Sequence, residues 1–178
     1  MRSLLLFAVW AAALPGQPAF VPADFKVPVS YRATTFQLKP FSPDLAKHDF
    51  DAYMSSIDHL RSTFSSGPWP NETITMADAI KDVDGEFARF NARKSFTYAI
   101  LTVDGARELG CVYISPSPKA GYDAMVRMWV TKAEFDKGLE PVVIAALKKW
   151  LRAAWPFQRV AWPKREISAE AWAALPKQ

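Results

Sequence analysis

The sequence predicts one α/β (α+β) domain, a mixed sheet flanked by helices. Three observations carry that expectation. Phe96–Val103, Leu109–Ser115 and Ala124–Val130 are successive runs rich in strand-forming residues. Leu139, Val143, Ala146, Leu147, Trp150, Leu151 and Ala154 recur at helical spacing, with Lys148, Lys149 and Arg152 on the opposite side. The chain has 178 residues, half of them hydrophobic and 22% charged, which suits a single packed core and excludes wholesale disorder.

The elements follow in order. Residues 20–34 contain Pro22 and Pro28 without periodic patterning and read as an extended arm. Thr35–Leu38 alternates as a first strand. Ser42-Pro43-Asp44 marks a helix start, because proline fits the first helical position, where no amide donor is needed. That helix, interrupted near Met54, runs from Leu45 to about Arg61. A Ser-, Gly- and Pro-rich loop follows. Thr75-x-x-Asp78 is a capping-box pattern opening a helix from Met76 to about Asn91, with Ile80, Val83, Phe87 and Phe90 as its expected buried face. Asp104-Gly105 predicts a two-residue hairpin turn between the first two long strands. Pro141 is tolerable only near a helix start, which places the N-terminus of the long helix close to Asp136–Gly138. Arg159–Trp162 is a short strand and Ser168–Leu175 a short terminal helix.

Composition narrows the function classes. Residues 132–178 hold nine basic and five acidic side chains, whereas residues 1–131 hold thirteen of each. That local excess suits an anionic ligand, and for Lys148, Lys149 and Arg152 it equally suits a solvated helix end. No long basic run or aromatic–basic alternation points to nucleic acid. The one cysteine, Cys111, excludes an internal disulfide and a thiolate metal cluster, and its apolar strand points to core packing. His48 and His59 lack the spacing of a helical metal pair, so no metal is expected. Residues 1–19 have the form of a secretory signal: Arg2, an apolar Leu4–Leu14, then Pro15 and Gly16. Export to a periplasm or medium follows if that leader is real, and a cytoplasmic protein with an apolar extension follows if it is not. The apolar run is too short for a stable membrane span. Residues 35–178 then form the single domain.

Several pieces form a recurring pattern: FVPADFKVP (20–28), FQLKP (36–40), YMSSIDHLR (53–61), FTYAIL (96–101), LGCVYISP (109–116), YDAMVRMWV (122–130) and WPFQRV (155–160). With the order of elements, they give a chain that resembles the GNAT superfamily of acyl-CoA-dependent N-acyltransferases, and more closely a bacterial branch of it. The resemblance spreads over most of residues 20–162. It implies a splayed mixed sheet, shortened here at its C-terminal end, and acetyl-CoA as co-substrate, whose acetyl group passes directly to a small-molecule or peptide amine. It implies that the backbone of Trp129 and Val130 receives the pantetheine arm, and that the helix N-terminus at Lys137 and Gly138 receives the pyrophosphate. Free amides and the helix dipole favour phosphate at such a terminus on physical grounds alone.

The phosphate loop departs from the family pattern of Gln or Arg, two spacers, Gly, one spacer, then Gly or Ala. Gly138 fits neither register, and Glu134, Asp136 and Glu140 bring negative charge that Lys132 and Lys137 only partly offset. A GNAT-like domain without catalysis therefore stands beside the transferase reading. For proton transfer, Asp123 is a candidate base and also a plausible strand-end carboxylate. Tyr113 is a candidate acid and also a plausible packing residue.

Overall fold

A computed structural model describes residues 19–65 and 67–178, so the expected leader lies almost wholly outside the described residues. The order is β1 (Tyr31–Arg32), β2 (Gln37–Pro40), a 3-10 turn (Pro43–Leu45), α1 (Ala46–Met54), α2 (Ile57–Thr63), α3 (Met76–Asn91), β3 (Phe96–Leu101), β4 (Glu108–Pro116), β5 (Ala124–Val130), α4 (Lys132–Asp136), α5 (Leu139–Ala154), β6 (Val160–Ala161) and α6 (Ala169–Ala174). The six strands form one sheet in sequence order. Neighbours are antiparallel through β5, and β5 pairs with β6 in parallel. This is the mixed α+β sheet that the sequence predicts.

Strand alternation divides the apolar residues between two cores. Tyr98, Val112, Ile114, Val126, Met128 and Val130 face α5, which contributes Val143, Leu147, Trp150 and Leu151. Ala99, Leu101, Cys111 and Trp129 face α1–α3, which contribute Ala52, Tyr53, Leu60, Ala79 and Val83. Each large side chain buried this way is worth roughly 1.5–3 kcal/mol relative to exposure. The arm also packs: Val21 is buried, Phe25 lies 5.6 Å from Trp155 between ring centroids, and Arg93 donates to the carbonyls of Pro22 and Phe25.

The α3 capping box forms as expected, with Thr75 Oγ1 accepting from the Asp78 amide and Asp78 accepting from the Thr75 amide. The face of α3 differs from the expected one. Val83 is buried with Ala79, while Ile80 and Phe87 are 45% and 38% exposed. Phe90 packs inward as expected, against Phe96 and Tyr98, and Glu86 meets Thr97 Oγ1 at 2.6 Å. The β3–β4 connection is also longer than a two-residue turn. Gly105 takes the positive φ of 78°, but residues 102–107 form the loop, and Asp104 Oδ1 accepts from Thr102 Oγ1 and the Ala106 amide. After β6 come α6 and two isolated bridges, Pro163 with Ile167 and Lys119 with Lys177. No helix among the described residues is long and apolar enough to cross a membrane.

Candidate functional site

The geometry that creates a site is the parting of β5 from β6. β5 pairs with β4 from Ala124 to Val130, yet with β6 only at Ala124 and Met125. Beyond Met125 the second edge of β5 has no strand partner. The gap leads to the N-terminus of α5, where Gly138 takes a left-handed φ of 76° as N-cap. One glycine holds the other side shut: a Cβ on Gly110 would lie 2.0 Å from the Trp129 carbonyl oxygen, so β4 and β5 meet backbone to backbone there.

Side chains of the chain itself line this gap. Arg165 Nη2 donates to the Met128 carbonyl at 3.4 Å and to Glu140 Oε2 at 2.8 Å. The His59 imidazole sits by the Val130 backbone and beside Phe135, at 4.8 Å between ring centroids. Burial pushes the His59 pKa down. The stretch expected to be a phosphate-wrapping loop contains α4 instead. Thr131 caps it by accepting from the Glu134 amide, and the Lys132 amide donates to Ser56 Oγ. Lys137 pairs with Glu134 at 3.1 Å. Glu140 brings its carboxylate to the first turn of α5, and the amides of Leu139 and Glu140 lie among the N-terminal donors that no carbonyl of α5 itself can meet.

The remaining expected site residues separate. Trp129 and Val130 lie at the end of β5, both buried, with the Trp129 side chain in the core under α1–α3. Tyr113 is on β4, and its hydroxyl accepts from Trp129 Nε1 at 3.2 Å. Burial pushes its phenol pKa up, so it stays protonated at neutral pH. Asp123 precedes β5. Its Oδ2 accepts from the amides of Gln158 and Arg159, each at 2.7 Å, which ties the start of β6 to β5. The structure thus brings Trp129, Val130 and Gly138 to the gap, while Tyr113 and Asp123 stand on different elements.

A cavity of about 350 Å³ opens at the parted strands. Met125, Met128, Phe64 and Trp172 give it apolar walls, and Arg127, Lys164 and Arg165 bring positive charge. A neighbouring cavity of about 300 Å³ is bordered by Tyr113, Trp69, Glu86 and again Arg127. Arg127, Arg165 and Glu140 as an ion-pair partner were not among the residues the sequence singled out, and His59 was weighed only as a metal ligand. A basic residue inside the apolar run AMVRMWV was the available signal for Arg127.

A second cluster lies under α1. The register between β3 and β4 shifts so that Ile100 pairs with Gly110 and Leu101 with Glu108. The extra residue, Leu109, joins the core under α5, and Cys111 joins the one under α1–α3. The bulge brings Glu108 against Asp49 of α1, at 2% and 7% exposure. Both Glu108 oxygens and Asp49 Oδ1 lack hydrogen-bond donors. Burial pushes the Asp49 carboxyl up to about 7 and Glu108 well above its ordinary value, the nearby Asp49 charge adding to the latter. Ligand atoms of Asp49, Glu108 and Cys111 lie within 4.8 Å of one another, and burial favours the protonated form of both acids. Cys111 itself is buried, donates to the Tyr98 carbonyl at 3.3 Å, and has its thiol pKa pushed up by burial, as an inert core thiol should.

No protein-family model and no curated protein sequence matches the chain. Solved structures do. The chain is similar to a ribosomal-protein-S5-alanine acetyltransferase from Vibrio fischeri, with a TM-score of 0.55, 13% identity, and coverage of 70% of this chain and 67% of that one. It is similar to a ribosomal L7/L12 α-N-protein acetyltransferase solved in complex with coenzyme A, with a TM-score of 0.53, 16% identity, and coverage of 72% and 69%. A GNAT-family acetyltransferase structure from Bordetella pertussis, described there as putative, gives 0.51, 15%, and coverage of 74% and 75%. The chain spans 64–69% of the length of the ribosomal-protein acetyltransferases it matches. Its fold is that of the GNAT acetyltransferases.

Proposed function

We propose that the chain is an N-acyltransferase that moves an acetyl group from acetyl-CoA to an amine by direct transfer. The observation that carries this reading is the one-sided opening of β5 onto the N-terminus of α5, in a fold shared with acetyltransferases, one of them solved with coenzyme A. The pantetheine arm would lie along Trp129 and Val130, and the pyrophosphate would face Lys137 and Gly138. For that, His59 and Arg165 must yield the backbone positions they hold. The amine attacks the thioester carbonyl, the C–N bond forms, the C–S bond breaks, and the thiolate takes a proton. Tyr113, protonated and bordering the second cavity, is our candidate for that proton. Loss of the ammonium proton before attack goes to water, because the carboxylate of Asp123 is held by two amides.

The alternative is a non-catalytic GNAT-like binding or structural domain, in which Arg165 and Glu140 would keep the gap filled. Melting the protein with and without saturating acetyl-CoA separates the two. A ligand that binds only the native state raises Tm, by roughly 2.7 kcal/mol of added stability at a hundred times its Kd. The transferase reading predicts a rise and release of free CoA thiol with an amine mixture. No rise at millimolar acetyl-CoA rejects it.

A further inference from the structure

We propose that the cavity at the parted strands selects amines that also carry a carboxylate, with Arg127 as the group that recognises it. The inference rests on the transferase reading for the word amine, and on the cavity alone for the word carboxylate.

Arg127 stands inside β5 between apolar neighbours, where a charge is costly unless it meets a partner. Its guanidinium stacks on Phe64, with Cζ 4.3 Å from the ring centroid. Arg127 lines both cavities from this position. Of its five donors, one reaches the Phe64 carbonyl at 3.5 Å, the limit of a hydrogen bond. Arg61, Arg89, Arg107, Arg159 and Arg165 each meet a carboxylate, and no ion pair among the described residues includes Arg127. Glu86 borders the second cavity, but its oxygens are taken by Arg89 and Thr97.

The cavity at the parted strands has no acidic residue in its lining. Lys164 reinforces the field: its ammonium rests on the Phe64 and Ser65 carbonyls at 3.3 and 2.7 Å and meets no carboxylate. A planar, half-buried guanidinium with open donors is matched by a planar carboxylate, which accepts two parallel bonds. Because the sheet is open here, Arg127 enters the lining from one face and Met128 from the other. A ligand held by its acid at Arg127 can therefore reach the gap where the thioester would lie. The volume, about 350 Å³, suits a molecule of amino-acid size.

The test uses matched product-like probes that differ by one charge. N-acetylglycine, N-acetyl-leucine and N-acetyl-phenylalanine are titrated calorimetrically against their primary amides, with the whole chain at moderate salt. The expected result is at least one acid bound tenfold or more tighter than its amide, a preference that shrinks with added salt and disappears in Arg127→Gln. Equal affinities, or no binding in any pair, overturn the proposal without recourse to the variant. Acetyl-CoA melting run alongside keeps the two claims apart. An acid preference without a cofactor shift leaves this site standing and removes the transferase reading. A cofactor shift without an acid preference does the reverse.

Discussion

The Arg165 guanidinium donates to the Glu140 carboxylate at 2.8 Å, with both side chains only 14% exposed, and the same guanidinium reaches the Met128 carbonyl. This pair joins the segment after β6 to the first turn of α5 and lies across the gap expected to take acetyl-CoA. Arg165→Gln should lower the Tm of the free protein, by a loss of roughly 1–3 kcal/mol for a partly buried pair left half-made. The same change frees the Met128 carbonyl. It should therefore enlarge the Tm rise that acetyl-CoA produces, and a smaller rise than in the wild type would count against competition for the gap.

The buried acids make stability fall with rising pH. Asp49 is raised, so the native state holds its proton more tightly than the unfolded chain does. The stabilisation is complete below the unfolded value near 4 and is lost as pH climbs through about 7. The unfolding free energy from denaturant titrations should drop by roughly a few kcal/mol across that window. Asp49→Asn should reduce the slope and raise the midpoint at pH 8. A flat profile in the wild type would show that the pair is paired with something other than protons.

Gly110→Ala should be among the most damaging single changes outside the large apolar residues. The added methyl meets backbone, which cannot rotate away, so a loss of about 3 kcal/mol is expected. Chemical denaturation at pH 6 measures it.

Thr75→Ala removes the oxygen that accepts the Asp78 amide and should lose about 1 kcal/mol. Thr75→Ser should restore most of it. Equal stability of all three proteins would mean that the first turn of α3 frays in the native state.

Tyr113→Phe separates chemistry from packing. If the hydroxyl protonates the leaving thiolate, kcat falls by about 10²-fold while KM for acetyl-CoA holds, within the ordinary range for a general acid. The lost bond to Trp129 Nε1 should lower Tm in either case. Asp123→Asn should change stability more than kcat, since its carboxylate accepts from two amides.

The strands from Phe96 to Val130, the α3 cap and the long helix were legible because each has a local signature: alternation, a Thr-x-x-Asp pattern, a helical stripe. α4 was not foreseen, since five residues carry no periodicity. Its capping pattern, Thr131-x-x-Glu134, was nevertheless present. The expected face of α3 held at Val83 and Phe90 and failed at Ile80 and Phe87, and the inward bond from Glu86 to Thr97 is a tertiary contact that hydrophobic spacing cannot express. The Asp49–Glu108 pairing depends on a register shift between β3 and β4, and no residue near Leu109 announces one. At the site, the family resemblance named Trp129, Val130, Lys137 and Gly138, which the structure places at the end of β5 and just before α5. The partners that surround them, His59, Glu140 and Arg165, come from distant stretches that only folding brings together.

The sheet is mechanically lopsided around β5. On one side, Gly110 lets β4 lie flush along its full length; on the other, two residues of β6 and the amide clamp on Asp123 act as a pivot. A wider gap would press on the segment beyond β6, which Lys119 and Arg165 hold, rather than on β4. That segment carries Lys164, Arg165 and Trp172, all of which line the cavity at the parted strands. If the gap takes the cofactor and the cavity the acceptor, as proposed, Arg165 borders both, so occupancy of either should be felt by the other.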